Sequence, residues 1–164
     1  MGLPNISTSP LDYVVLDVET NGLKSKECDL LSISMLKPDD GREYDRFLPL
    51  DLNRDVYTTD INGITKRDLK GKKHLTQDEV DDLFKAFELD SRLILHYGEL
   101  DRRFIRDYFE RHGLDGFGRL RFFNFKQLIC STGYSDGSLT KDNLCDFFGI
   151  EGVEDVHSGI RDCH

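Results

Sequence analysis

Val14-Val15-Leu16-Asp17-Val18-Glu19-Thr20 holds the run on which the fold turns. Residues 14–17 are aliphatic up to a terminal acid, as expected of a central strand buried on both faces. Successive strand residues alternate faces, so Asp17 and Glu19 stand on the same side, at the end where α/β sheets gather their ligands. Acids are frequent in this chain, 31 among 164 residues. By itself the pair therefore reads more readily as a solvated strand end than as a site.

Outward from this strand, residues 30–36 alternate Leu31, Ile33 and Met35 with Ser32 and Ser34, the period of a half-exposed strand. Pro38-Asp39-Asp40-Gly41 turns the chain into a strand over 44–48, which completes an antiparallel meander. Helical periodicity then takes over. Thr76 and Glu79 make a capping box, Leu75 and Val80 staple across it, and Val80, Leu83, Phe84 and Phe87 form one apolar stripe. Residues 93–97 read as a second buried strand. Leu100, Phe104, Ile105, Tyr108 and Phe109 line the helix after it, which Gly113 ends. RFFNF at 121–125 is a candidate edge strand, and Leu144, Phe147 and Phe148 suggest a short helix stopped by Gly149. A meander followed by strand and helix alternation implies a mixed sheet covered by helices.

A chain of 164 residues fits one domain spanning 1–164 and buries enough surface to need no disulfide framework. Cys28, Cys130, Cys145 and Cys163 are scattered without a C-x-x-C pair and read as free thiols of a reducing compartment. No leader pattern and no apolar run of about 20 residues stands in the sequence, so the expected location is the cytoplasm. The net charge of −9 argues against a broad basic surface for phosphates. It leaves room for nucleic acid at a site where bound cations offset clustered carboxylates. One basic stretch, Lys66-Arg67-Asp68-Leu69-Lys70-Gly71-Lys72-Lys73-His74, stands out and reads first as a solvated loop. Its functional alternative is a grip on backbone phosphates upstream of a cut end.

Two further segments carry chemistry. His96 closes the 93–97 strand and reads as a structural histidine, whereas Asp101 opens the next helix, where the dipole favours a carboxylate in any case. Near the end stand His157 and Asp162. On one helix they would point about 140° apart, so His157 belongs in the loop before the helix, with Ser158 as N-cap and Asp162 on the helix itself. A loop histidine of near-neutral pKa suits proton transfer, while the helix-borne acid suits a metal. Ile160 is the only large apolar residue available to dock this short segment.

Taken in order, DVETNGL, LDRRFI and VHSGIRDC resemble the three motifs of the DEDD (DnaQ-like) 3′→5′ exonuclease family, in the DEDDh subgroup with H-x4-D. INGIT at 61–65 and LCDFFGI before the third motif agree with it. The resemblance implies an RNase H-like fold, here a five-stranded mixed sheet, and a hydrolase releasing nucleoside 5′-monophosphates with two divalent cations, Mg²⁺ or Mn²⁺. It implies that Asp17 bridges both ions, that Glu19 and Asp162 help hold the ion carrying the attacking water, and that Asp101 serves the second ion mainly through water. His157 becomes the general base. Thr20, Asn21, Gly22 and Leu23, with Phe104, become substrate contacts. Expected partners are single-stranded or frayed 3′ ends of DNA, with RNA as the alternative, and a DNA polymerase or helicase.

The chain departs from the family pattern in three places. Tyr97 stands where many relatives have Asn, Asn62 where some have His, and the chain ends two residues after Asp162, where relatives continue the last helix. Proofreading or repair of DNA is the first functional reading, and trimming of RNA or short oligonucleotides is the second. A catalytically weak binding module is a third. A phosphohydrolase with Asp17 as nucleophile is a fourth, but it wants a second Asp at i+2 and leaves H-x4-D unexplained.

Overall fold

The computed structural model describes residues 12–131, 143 and 159–164. Three antiparallel strands come first: β1 (Tyr13–Thr20), β2 (Leu30–Lys37) and β3 (Arg42–Phe47). Two short helices follow, α1 (Thr59–Asn62) and α2 (Lys66–Leu69), then the longer α3 (Gln77–Phe87). Next come β4 (Leu93–His96), α4 (Leu100–His112), β5 (Arg121–Asn124), α5 (Phe125–Ser131) and α6 (Gly159–Cys163). The sheet order is β3-β2-β1-β4-β5, with β1–β2 and β2–β3 antiparallel and β1–β4 and β4–β5 parallel. This is the mixed five-stranded sheet that the periodicity anticipates. The expected helix around Leu144, Phe147 and Phe148, and the loop carrying His157 and Ser158, lie outside the described residues.

One face of the sheet forms the main core. Val14, Leu16 and Val18 of β1 pack with Ile33 and Met35 of β2 against Val80, Phe84 and Phe87 of α3 and Phe104, Ile105, Tyr108 and Phe109 of α4. The capping box of α3 is made as expected, with the Thr76 backbone N–H donating to Glu79 at 2.8 Å and the Glu79 N–H to Thr76 Oγ1 at 3.3 Å. At the other helix, Gly113 adopts φ 61° and its N–H reaches back to Phe109 and Glu110 carbonyls. The left-handed turn there favours glycine.

Four expectations change. β2 is buried along its whole length, not half exposed, because α6 lies over the serine face. Ser32 and Ser34 are small enough to let a helix backbone settle on them. α6 does not rest on Ile160 alone: Gly159 and Cys163 are buried, and Ile160 is half buried. The basic stretch is not simply a loop, since its first residues form α2, capped by Thr65 and Asp68 and anchored by buried Leu69 against Leu31 and Ile64. Finally, RFFNF divides after Asn124, where β5 ends and α5 begins. Among the described residues no helix is long and apolar enough to cross a membrane, and Cys28, Cys130 and Cys163 are free.

Candidate active site

Strand pairing places the first two acids. β4 pairs with β1 only over Tyr13–Val15, so β1 continues past it and carries Asp17 and Glu19 beyond the paired region. On the other side Asp17 stands opposite Ser34 and Glu19 opposite Ser32 of β2. Because β1 and β4 run parallel, the chain leaving β4 enters α4 at the same end of the sheet. Asp101 thus sits in the first turn of α4 beside the β1 acids.

α6 delivers the third acid. A Cβ on Gly159 would lie 3.0 Å from Ser34 Cβ and 3.4 Å from Asp17 Oδ2, and would overlap Ser34 Oγ outright. Only a glycine lets the helix approach β1 and β2 this closely. Cys163 completes the contact, its Sγ lying 3.6 Å from the Ser34 carbonyl, and burial pushes its thiol far above the ordinary value. Seated in this way, α6 brings Asp162 to Asp17 and Glu19. One carboxylate oxygen from each of the three lies within 4.8 Å of the others.

Asp101 lies outside that trio but next to it. Burial, with the nearby charge of Glu19 adding and a hydrogen bond from the Tyr97 backbone opposing, pushes its carboxyl up to about 7. His96 Nδ1 is 3.9 Å from Asp101 Oδ2, and its ring meets Phe122 edge-on at 5.4 Å. Burial holds His96 below its ordinary pKa, in keeping with a structural histidine of the strand end. The donor set of Asp17, Glu19, Asp162 and Asp101 is all oxygen, which fits a hard divalent cation and not a soft one.

Beyond β1 the chain turns through Thr20, Asn21, Gly22 and Leu23. Thr20 Oγ1 donates to the Gly22 carbonyl at 2.8 Å, and Gly22 takes φ 148° where a Cβ would meet Cys28 Sγ at 2.7 Å. Asn21 is buried, and its amide is taken up by the 53–57 loop: it donates to Asn53 Oδ1 and the Asp55 carbonyl and accepts the Tyr57 N–H at 2.6 Å. Leu23 is 76% exposed, and Phe104 is 2% exposed, within the core beneath the site. Asn62 is buried and structural, bonding Thr58 Oγ1 and the Ile64 N–H.

Sequence reasoning missed Tyr57. It is 67% exposed, its backbone is tied to Asn21, and Thr58 Oγ1 next to it holds the Thr20 carbonyl at 2.9 Å. Leu23 and Ile61 are likewise exposed. A single tyrosine in the polar stretch LNRDVYTTD has no periodic partner, so only its exposure marks it.

Comparison with known proteins agrees with this geometry. The model of the family described as exonuclease matches residues 14–164. A PolC-type DNA polymerase III of Streptococcus sanguinis is 35% identical over 113 residues, covering 67% of this chain and 8% of that protein. Among solved structures, E. coli Exonuclease I in complex with a dA16 oligonucleotide superposes with a TM-score of 0.73 at 15% identity, covering 92% of this chain and 38% of that one. A full-length 3′-exonuclease superposes with a TM-score of 0.74 at 16% identity, covering 93% of this chain and 57% of that one. These likenesses establish the RNase H-like fold. The chain spans only a small part of the polymerase and less than two thirds of either exonuclease.

Proposed function

We propose, from the premise that this chain belongs to the DnaQ-like DEDD 3′→5′ exonuclease family, that it is a metal-dependent nuclease removing nucleotides from DNA 3′ ends as nucleoside 5′-monophosphates. The observation that carries this reading is the meeting of Asp17, Glu19 and Asp162 within 4.8 Å, with Asp101 buried close by. So dense a set of acids is costly unless cations share it.

In this reading Asp17 would be shared between two divalent ions, Glu19 and Asp162 would help hold one of them, and Asp101 would serve the other. Mg²⁺ or Mn²⁺ suits these donors and would supply charge stabilisation to the attacking and leaving oxygens of an in-line displacement. His157, five residues before Asp162 in an H-x4-D spacing, is the proposed general base that takes the proton of the attacking water. Leu23 and Tyr57 are the surfaces on which the terminal nucleotide is proposed to rest, a base stacking on the exposed phenol ring.

Single-stranded or frayed 3′ ends are the proposed substrates, as the Exonuclease I structure with a dA16 oligonucleotide suggests. A DNA polymerase is the partner that the PolC-type relative favours, and the proposed location is the cytoplasm. The test is to incubate the protein with Mn²⁺ and 5′-labelled single-stranded DNA, mispaired duplex DNA and RNA, and to read the ladders. Stepwise shortening of DNA, abolished by EDTA, is expected. Full activity in excess EDTA, or shortening from the 5′ end, would sink the reading. Preference for RNA would move the substrate to the second class, because 2′-OH discrimination rests on local contacts. His157→Ala should lower kcat by roughly 10²–10⁴-fold while ion binding survives. Loss of an ion in calorimetry would make His157 a ligand instead.

A further inference from the structure

A second group of metal-ligand side chains lies at the far end of α4. Asp51, His74 and His112 each offer one ligand atom, and the three atoms lie within 4.8 Å of one another. His112 is the last residue of α4 and Asp101 is in its first turn. At 1.5 Å rise per residue the helix separates the two by about 16 Å, so this cluster is distinct from the carboxylate site.

Three elements from distant parts of the chain build it. Asp29, buried, accepts the backbone N–H groups of Asp51 and Leu52 at 2.9 Å and of Asn53 at 2.8 Å, which fixes the loop bearing Asp51. His74 ends the basic stretch, and its Nδ1 lies 3.3 Å from Tyr108 Oη, a hydroxyl that also accepts the Leu75 N–H at 3.0 Å. His112 stacks on His74 with ring centroids 4.0 Å apart and lies 4.4 Å from the Tyr108 ring. Its Nε2 is buried, lacks a hydrogen-bond partner among the described residues, and lies 3.6 Å from Asp51 Oδ2.

We propose that Asp51, His74 and His112 form a second site for a divalent transition-metal ion of the zinc class. Two imidazoles and a carboxylate are a common zinc ligand set, and bond lengths near 2.0–2.1 Å put tetrahedral ligand atoms about 3.3 Å apart. The 3.6 Å between His112 Nε2 and Asp51 Oδ2 is close to that spacing. Tyr108 supplies what a ligating histidine ordinarily has, a partner for its other ring nitrogen: with His74 Nδ1 turned to the phenol, Nε2 is left for the ion. The buried, unsatisfied Nε2 of His112 gains a partner at the same time. Asp51 is exposed, so water can complete the coordination. An ion here would staple the 51–57 loop, which holds Asn21 and Tyr57, to the end of α4.

Zn²⁺ alone is the probe, in equilibrium dialysis with metal analysis on the full chain carrying Asp17→Asn and Glu19→Gln, which weakens the competing carboxylate site. A single retained Zn²⁺ is expected, lost on adding His112→Gln or His74→Gln and weakened by Asp51→Asn. A measurement free of further substitutions accompanies it: Zn²⁺ should protect His74 and His112 from carbethoxylation by diethyl pyrocarbonate, mapped by mass spectrometry. Absence of a bound ion, its retention in both histidine variants, or failure of Zn²⁺ to protect either ring would overturn the proposal.

Discussion

The candidate active site holds its acids in two different ways. Asp17 and Glu19 ride on an eight-residue strand, ladder-paired with β2 at both acids and with β4 just upstream of them, so their backbone is held by the sheet. Asp162 rides on a helix of five residues whose seating comes down to Gly159 and Cys163 lying on Ser34 of β2. Strand-borne ligands inherit the geometry of a cooperative sheet, whereas the helix-borne one depends on a single close backbone approach. The same site is therefore robust on one side and sensitive to one methyl group on the other.

The largest effect should come from the strand side. Asp17→Ala or Glu19→Ala removes a proposed cation ligand but leaves β1 paired, so turnover should fall on the order of 10³-fold or more, several kcal/mol of lost charge stabilisation. Steady-state kinetics with circular dichroism on the same samples checks this. Loss of activity accompanied by loss of fold would mean that the acids support the strand, not the chemistry.

Asp101 allows the support of its carboxyl to be read as a pH dependence. Its ordinary value is 3.8 and its folded value about 7, so between these the folded chain binds more protons than the unfolded one. Stability of the ion-free protein is therefore fully present at low pH as far as this group is concerned, and is lost as pH rises from about 4 to about 7. At about 1.4 kcal/mol per pH unit the total reaches up to about 4 kcal/mol. Glu79, Asp90 and Asp107, held low by arginine partners, slope the other way. Urea denaturation of the wild type in EDTA should thus be compared with Asp101→Asn across that range. The difference should shrink towards pH 4; parallel curves would show that Asp101 ionises freely.

The helix side is broken by Gly159→Ala. The added methyl collides with Ser34, and α6 must lift or slide, carrying Asp162 with it. A displacement of about 1 Å at a reacting centre costs roughly 10²-fold in rate, and that is the expected loss. Ser34→Gly in the same chain should recover part of it, since it removes the two Ser34 atoms that the methyl meets and leaves only the looser contact with Asp17. Full activity of Gly159→Ala alone would show that Asp162 is placed by something other than this contact.

Much of this contrast follows what a sequence can express. β1, α3 and α4 announce themselves through alternation or a 3.6-residue stripe, and Asp17 and Glu19 share a face because they are two apart on such a strand. The seating of α6 has no local period. Its determinant is a glycine meeting a serine from a distant strand, and that serine, read by alternation alone, looked like a solvent face. α1 and α2 were missed for a similar reason, since four residues are too few to show a stripe. Asp51, His74 and His112 come together only through the crossing of a loop, a segment end and a helix end, so no spacing in the chain connects them.

The smallest effect sharpens the strand side by asking how far its firmness extends past Thr20. Asn21 continues β1 by one backbone bond and by its side chain: its backbone N–H donates to the Asp29 carbonyl at 2.9 Å, and its amide holds Asn53, Asp55 and Tyr57. Asn21→Ala leaves the Tyr57 N–H and the Asp55 carbonyl without this partner, at a cost of about 2 kcal/mol in a buried setting. The metal ligands lie upstream in the paired strand and should keep their positions, so kcat should change little. Leu23 and Tyr57, the proposed nucleotide surface, should lose their fixed relation, so KM should rise severalfold. Chemical denaturation gives the first number and steady-state kinetics on single-stranded DNA the second. A fall in kcat with KM unchanged would place the effect in β1 itself, making the strand less firm at Glu19 than its pairing implies.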